Sequence, residues 1–233
     1  MKSSSKLSVI VPVFNEARTV GTVIDRLLSL DLDGWDREII AVNDCSSDGS
    51  DKILAAYRRR KKLFVVNHAQ NYGKGAAIKS GLRHANGTHV IIQDADLEYD
   101  PRDIRRMVTL AKNLPGTAIY GSRFTGPYED TVPGHKFGNM LLTWLTNFLY
   151  GCRISDMETC YKLIPRASLR GIEINSRRFN FEPEITAKLL KKKIPIRELP
   201  ISYRKRGFSE GKKIRWHDGF AAVWTLVKYR FIG

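Results

Sequence analysis

Asp94, Asp96 and Glu98 stand at alternate positions directly after the apolar run His89-Val90-Ile91-Ile92-Gln93. Such a run reads as a buried strand, and in a chain that stays extended beyond it, residues two apart project to one side. Three carboxylates on one side make a hard-oxygen site for Mg²⁺ or Mn²⁺, and both cations also bind a diphosphate. Asn15 and Glu16 follow an earlier apolar run, and Asp44 follows another. Carboxylates at these ends could accept hydrogen bonds from a nucleobase or ribose. Capping of the next helix is the alternative, and it is the reading for Asp48 and Ser50. Asn71-Tyr72-Gly73-Lys74-Gly75 has the glycines of a phosphate loop but not the full GxxxxGK[ST] pattern, which argues against an ATPase of that class. Its glycines serve either close approach of a nucleotide or a tight turn.

Positive charge gathers in the second half. Arg123, His135 and Lys136 flank a Gly, Pro and Asp rich loop at Gly126–Gly134, and Arg204, Lys205, Arg206, Lys212 and Lys213 crowd a later one. An arginine clamps a phosphate through two donors, so an anionic ligand fits these loops. The whole chain carries 39 Lys and Arg against 24 Asp and Glu, a net charge of +15, which suits nucleic acid, phosphorylated metabolites or an acidic membrane surface. Nucleic acid is disfavoured: the acidic triad lies where a phosphate backbone would pass, and no zinc-finger or RNP pattern is present. A catalytically silent interaction protein is disfavoured by the complete triad. Asp156 and Glu158, in Asp156-Met157-Glu158-Thr159-Cys160, are further candidate carboxylates, Glu158 as a base toward a hydroxyl or both as supporting groups.

These residues need a scaffold. At 233 residues, with 42% hydrophobic and 27% charged residues, the chain can bury a substantial core. Apolar runs at Ser8–Val13, Glu38–Asn43, Leu63–Asn67 and His89–Gln93 alternate with helical periodicity at Val20–Leu28, Ile53–Tyr57 and Lys74–Ala85. That alternation predicts an α/β fold with parallel strands and right-handed crossovers, its polar loops at the ligand-binding strand ends. Asp100-Pro101 reads as a turn and helix start. Later, Ala118–Ser122 and Arg197–Tyr203 read as strands, Phe181–Leu190 as a helix, and roughly Ile214–Phe231 as a final helix. We read one domain over 1–233.

Cys45, Cys152 and Cys160 form no CxxC pair, so no disulfide scaffold or thiolate zinc site is indicated. The opening MKSSSKLSVIVPVF passes straight into a strand pattern without a cleavage site, and no run approaches the length of a spanning helix. The expectation is a cytoplasmic chain, peripheral on the cytoplasmic face of a membrane. Phe137–Gly151 and Ile214–Phe231 are aromatic and apolar, and each suits either core packing, a second subunit or a membrane surface.

The order of motifs resembles family 2 glycosyltransferases with the GT-A fold, particularly dolichyl- and polyprenyl-phosphate hexosyltransferases such as the dolichyl-phosphate mannose synthases. Val11-Pro12-Val13-Phe14-Asn15-Glu16 matches their VPxxNE start, and Asn43-Asp44-Cys45-Ser46-Ser47-Asp48-Gly49-Ser50 their DDxSxDGS segment, with Asn43 at the first acidic position. Asn71–Ala76 matches NxGKGxA, Asp94-Ala95-Asp96 the DAD metal motif, and Gly121-Ser122-Arg123 the GSR motif, so the resemblance runs from about Leu7 to Tyr229. It implies a Rossmann-like GT-A domain with a mixed central sheet, a nucleotide-sugar half at 7–122 and an acceptor half at 123–233, and it puts Asp156 and Glu158 on the acceptor side. Pro12, Asn15, Glu16, Asp44, Lys74 and Asp94 would bind the nucleotide, and Asp94, Asp96 and Glu98 the metal, Mg²⁺ or Mn²⁺. Asp96, Arg123 and Arg204 would be the catalytic groups. Arg123, His135, Lys136 and Asn139 would face the acceptor phosphate, and Arg204 with the following loop would close over the donor.

The implied reaction is transfer of mannose or glucose, from GDP-mannose or UDP-glucose, to dolichyl or polyprenyl phosphate with inversion. A soluble sugar, glycan or protein acceptor is the alternative. An anionic membrane surface and a separate membrane protein are the implied partners. Two departures stand out. His135-Lys136 replaces the family's usual arginine after the flexible loop, and Arg206–Lys213 differs from the compact GxSK form of mannose synthases.

Overall fold

The protein is described here from a computed structural model, which describes residues 5–60, 62–125, 128–129, 133–178, 180–204 and 217–232. Its centre is β1 (Lys6–Val13), an apolar strand that pairs in parallel with β2 (Asp36–Asn43) on one side and β4 (His89–Ile92) on the other. Successive β1 side chains face opposite ways. Val9, Val11 and Val13 join Val20, Val23 and Ile24 in the larger core, while Ile10 packs with Ile40, Val42 and Ala77. Helices therefore cover both faces of the sheet. α1 (Val20–Ser29) buries Val20, Val23, Ile24 and Leu27, the stripe its periodicity predicts. α2 is Ser50–Arg59 and α3 Lys74–His84. α4 (Arg102–Asn113) buries Ile104, Met107, Val108 and Ala111, and begins just after Pro101, which stands at its N-cap.

The main sheet has seven strands in the order β3-β2-β1-β4-β7-β5-β8, where β3 is Phe64–Asn67, β5 Ala118–Ser122, β7 Lys162–Pro165 and β8 Ile196–Pro200. β7 runs antiparallel to both β4 and β5, which makes the sheet mixed. The sequence pattern misses β7 because it has four residues, begins with a lysine and ends in proline. The expected strand 197–203 is divided: after β8 the chain bends, and β9 (Tyr203–Arg204) pairs with β6 (Tyr128–Glu129) in a second small sheet. α5 (Pro133–Tyr150), α6 (Phe181–Lys191) and α7 (His217–Phe231) complete the second half. The expected helix residues 214–216 lie outside the described residues. α5 and α7 meet through Leu142, Leu145, Leu226 and Met157, and the Tyr150 hydroxyl donates to the Leu226 carbonyl at 2.7 Å.

Sheet order reverses at β1, whose neighbours β2 and β4 lead away in opposite directions. In open α/β sheets a crevice forms outside the strand ends at such a point. The segments following β1, β2 and β4 carry Asn15-Glu16, Asp44 and Asp94–Glu98 to that edge.

α3 lies close on β1 because residue 81 is glycine: a Cβ there would meet Ile10 Cγ2 at 2.5 Å. Gly81→Ala should therefore destabilise the fold by roughly 1–3 kcal/mol through overpacking. Gly138 in α5 has nothing within 4 Å of its would-be Cβ. Gly138→Ala should be neutral or stabilising by up to about 1 kcal/mol. Urea unfolding of both variants checks the contrast.

Candidate active site

The loops after β1 and β2 are tied to each other. Asn15 accepts the Ser47 N–H at 2.9 Å and donates its own N–H to Ser46 Oγ at 3.0 Å. The Glu16 N–H reaches Ser50 Oγ at 3.0 Å, and its carboxylate accepts the Thr19 hydroxyl at 3.0 Å. Asp48 bridges the Ala17 and Ser50 N–H groups at 2.8 and 3.0 Å, so it steadies the start of α2. Pro12 lies within β1 opposite Val42. Asn15, Cys45 and Leu97 have φ of 54°, 59° and 64°, left-handed conformations placed just beyond β1, β2 and β4. Backbone strain gathers at the edge that carries the polar groups.

Asp44 is 2% exposed, and its carboxylate is fully engaged. It accepts the Tyr72 and Gly73 N–H groups at 2.9 and 2.7 Å and lies 2.7 Å from His68 Nδ1. Asp44 thus shapes the glycine segment. That segment is not a phosphate cradle in this structure: the Gly75 and Ala76 N–H groups donate to the carbonyls of Arg178 and Arg177, each at 3.1 Å. A Cβ at Gly73 or Gly75 would lie 2.4 Å from the carbonyl oxygen of Arg177 or Ser176 respectively. The glycines admit another stretch of this chain.

Lys74, at the start of α3, points inward. Its ammonium lies 2.9 Å from Asp94 Oδ1 and 3.0 Å from Glu182 Oε1. Cys160 Sγ is 3.8 Å away. Burial opposes the charge, but Asp94, then Cys160 and Glu182, more than offset it and hold the lysine pKa well above its ordinary value. One cation therefore joins the first turn of α3, the end of β4 and the first turn of α6. Lys74 thus pairs with Asp94, itself one of the residues expected to bind the nucleotide, and with Glu182 of the second half.

The acidic triad departs from the extended geometry expected of it. The chain turns at Leu97, and Asp96 Oδ1 accepts the Glu98 N–H at 3.1 Å. The Glu98 carboxylate accepts the Tyr203 hydroxyl at 2.8 Å, while the Glu98 carbonyl accepts the Arg204 N–H at 2.9 Å. Among the described residues no group of three or more His, Cys, Asp or Glu could hold a metal ion. The left-handed turn and the separate partners of Asp94 and Glu98 are the reason. The half-buried Asp96 still suits Mg²⁺ or Mn²⁺, which commonly take one or two carboxylates and complete their shells with phosphate and water.

Arg123 was expected to face an acceptor phosphate, and the structure gives its fork an internal partner. Nε and Nη2 donate to Asp156 Oδ2 and Oδ1 at 2.7 and 2.8 Å, and the Arg123 N–H reaches Oδ2 at 3.0 Å. Burial disfavours the charge, yet Asp156 raises the guanidinium well above its ordinary pKa. The Tyr203 ring stands 5.2 Å from the guanidinium carbon. Asp156 is fixed in turn, since Glu198 accepts its N–H at 3.1 Å and that of Ser155 at 2.8 Å. Arg204 is exposed on β9; Lys136 is exposed and Asn139 half-buried on α5. The His135 side chain and residues 205–216 lie outside the described residues.

Glu158 differs from the other acids. Its Oε1 is the one buried side-chain nitrogen or oxygen without a hydrogen-bond partner among the described residues. Burial, with Glu182 and Asp156, raises its pKa to about 7 against the pull of Lys162 and Arg123. Lys162 is fully buried, and burial lowers its pKa despite Glu182, Glu158 and Asp156. Sequence reading passed over Glu182, Lys162 and Tyr203. The two acids in Phe181-Glu182-Pro183-Glu184, at the start of an otherwise apolar helix, were the available signal for the first.

Residues 8–172 match the family model for glycosyl transferase family 2. The chain is 27% identical, over an alignment 239 positions long, to a dolichyl-phosphate beta-glucosyltransferase of Trichomonas vaginalis, covering 97% of this chain and 73% of that protein. It is 28% identical to an undecaprenyl-phosphate 4-deoxy-4-formamido-L-arabinose transferase of Edwardsiella ictaluri, covering 91% of this chain and 64%, less than two thirds, of that one. Glucosyl-3-phosphoglycerate synthase of Mycobacterium tuberculosis, solved with Mn²⁺, UDP and glucosyl-3-phosphoglycerate, superposes with a TM-score of 0.72 at 20% identity, over 98% of this chain and 81% of that one. At that identity the likeness establishes a shared GT-A fold.

Two outcomes follow from the buried charges. Lys74→Met leaves Asp94 and Glu182 facing each other without their cation, and should cost about 3–5 kcal/mol in denaturant unfolding. Glu158 keeps its proton in the folded chain up to about pH 7, whereas the unfolded chain loses it near the ordinary value of 4.5. Its contribution to stability is complete below that lower value, falls as pH rises toward 7, and levels off above it. Glu158→Gln keeps a neutral group throughout, so its melting temperature relative to wild type should rise between pH 5 and pH 8.

Proposed function

The chain belongs to glycosyl transferase family 2, and from that premise we propose that it transfers a hexose from a nucleoside diphosphate sugar to a dolichyl or polyprenyl phosphate, with inversion at the anomeric carbon. The observation that carries the reading is the acidic turn Asp94–Glu98 at the β1–β4 crevice, anchored from behind by Lys74. The two relatives that act on lipid phosphates support the acceptor class.

The chemistry suits that acceptor. A phosphate oxygen is already anionic at neutral pH and attacks the anomeric carbon without a base. Its new bond forms as the bond from that carbon to the diphosphate oxygen breaks, and the electron pair leaves with the nucleoside diphosphate. One negative charge passes from acceptor to leaving group. Asp96, with Asp94 beside it, would hold Mg²⁺ or Mn²⁺, which when bound neutralises charge on the diphosphate. Lys74 holds Asp94 in place. Asp156 fixes Arg123, so the candidates for the acceptor phosphate are the exposed Arg204 and Lys136 and the half-buried Asn139.

A polyprenyl tail stays in a bilayer, since moving each CH₂ into water costs about 0.8 kcal/mol. No helix among the described residues is long and apolar enough to cross a membrane. α5 instead exposes Phe137, Met140, Leu141, Trp144 and Phe148, between 52% and 73% accessible, and α7 exposes Phe220 and Trp224. α5 contains no acidic residue. This face suits attachment to an anionic lipid surface.

The test is an assay of the full chain with labelled UDP- or GDP-hexose, Mn²⁺ and polyprenyl phosphate. Label should enter a butanol-extractable lipid, and Asp96→Ala should reduce the rate at least about 100-fold while the fold survives. Label transferred only to water-soluble sugars or peptides would overturn the lipid acceptor.

A further inference from the structure

β2 is longer than the strand beside it. It runs for eight residues, whereas β3 has four, and pairing of the two begins only at Ile40 opposite Phe64. The ladder fixes which way β2 faces there. The Asn43 carbonyl accepts the His68 N–H at 2.9 Å, and backbone groups two residues apart on a strand point the same way. Ala41, Ile39 and Arg37 therefore turn their backbone groups toward the line of β3, the last two where that strand has not begun. A cavity of about 350 Å³ lies at this gap, walled by Arg37, Ile39, Lys62, Phe64 and His84. An open sheet edge inside a cavity is a place for another extended chain.

The two sides of the gap differ in chemistry. Leu54 of α2 joins Ile39 and Ala41 in the larger core, while Ala77 of α3 joins Ile40 and Val42 in the smaller one, so the two helices cover opposite faces of the sheet. On the α2 side stand Arg58, Arg59, Arg60 and Lys62, all exposed, and none forms an ion pair among the described residues. Arg37 shares the face of Ile39, and the carbonyls of Leu27 and Leu28 hold its guanidinium. A helix C-terminus favours cations only in its last turn, which accounts for Arg58 and Arg59 but not for Lys62 or Arg37. On the α3 side Phe64 is 52% exposed, and its ring stands 4.8 Å from that of His84. The acid at the gap, Glu38, is already matched by Lys6, Ser8 and the N–H groups of Asn86 and Gly87.

We propose that this gap is a docking site for an extended acidic segment of a partner protein, which adds a strand to β2 in line with β3. Side chains of an added strand alternate between the two faces. The segment that fits therefore alternates carboxylates, toward the basic α2 side, with apolar residues, toward Phe64 and His84. Charge complementarity selects the acid. The open backbone edge selects a peptide, because a nucleic acid or a lipid headgroup brings no ladder of N–H and C=O groups to β2. The site is also remote from the apolar face of α5. β3 and β8 are the two edges of the main sheet, six strand spacings or roughly 29 Å apart, and α5 packs beside β8 through Leu142, Leu145 and Ile196. The gap lies at the opposite strand ends from Asp44 and the acidic turn, so a docked segment leaves the crevice open.

Fluorescence anisotropy of the full chain tests this with a labelled eight-residue peptide that alternates glutamate and leucine. It should bind with a Kd at or below roughly 100 μM, and more weakly as salt is added. Arg58→Glu, Arg60→Glu and Lys62→Glu together should weaken it about tenfold or more. N-methylation of one alternate set of peptide amides should abolish binding, and of the other set should not, because only one set faces β2. In wild type, which needs no variant to fold, hydrogen exchange at the Arg37 and Ile39 amides should slow at saturating peptide. No binding at about 1 mM peptide, or unchanged exchange at both amides, would overturn the proposal. Equal affinity for a peptide of the same composition with its glutamates and leucines in separate blocks would do the same, as would a dimer of the chain that protects those amides without peptide. Single-stranded RNA or phosphatidylglycerol vesicles that displace the peptide and need the same three cations would give the surface to that polyanion and overturn the acidic segment.

Discussion

The ammonium of Lys74 is the contact on which the site depends. It closes a gap between two carboxylates, Asp94 after β4 and Glu182 in α6, that burial would otherwise set against each other. Neither half of the chain could hold this geometry alone: Lys74 and Asp94 come from the first half, Glu182 and the neighbouring Cys160 from the second. The backbone repeats the same junction, because the first turn of α3 takes its missing acceptors from Arg177 and Arg178. A helix start that elsewhere binds phosphate serves here to dock the second half onto the first.

Charge is arranged in layers around that junction. Behind the crevice each cation is matched: Lys74 with Asp94 and Glu182, Arg123 with Asp156, Lys162 with backbone carbonyls. Removing a member of such a pair strands its partner, so these residues resist change for reasons of folding before any reason of catalysis. At the crevice the acidic turn is steadied by backbone bonds and by Tyr203, which touches both Glu98 and Arg123. Tyr203 thereby links the acidic turn to the Arg123–Asp156 pair. Beyond the acidic turn, α5 carries an exposed apolar surface of Phe137, Met140, Leu141, Trp144 and Phe148.

Much of this was legible in the residues. The strands through β4, α1 and α3 follow from periodicity because a buried strand and an amphipathic helix advertise themselves locally, and the ordered motifs carried the family and the GT-A fold. What escaped depends on distant partners. β7 could not be read from Lys162–Pro165, since its lysine is accommodated by partners outside the strand, the carbonyls of Met157 and Thr159 and the Tyr120 ring. The alternation of Asp94, Asp96 and Glu98 suggested three ligands on one side; Leu97 in a left-handed conformation undoes that, and nothing in Leu97 itself announces it. Arg123 looked like a phosphate clamp until Asp156, thirty-three residues later, took its donors. Asp44 carried two readings, and the partners of its carboxylate show the part it plays in holding the glycine segment.

The central proposal is that Asp96 would receive a divalent metal only together with a diphosphate, because the described residues around the turn form no group of three or more acids, histidines or cysteines to hold the ion by themselves. Electron paramagnetic resonance of Mn²⁺ titrated into the full chain, with and without UDP, addresses it directly. The account predicts firm Mn²⁺ binding when UDP is present, weak binding without it, and loss of the UDP-dependent signal in Asp96→Asn. Equal Mn²⁺ affinity with and without UDP, or an unchanged UDP-dependent signal in Asp96→Asn, would contradict it.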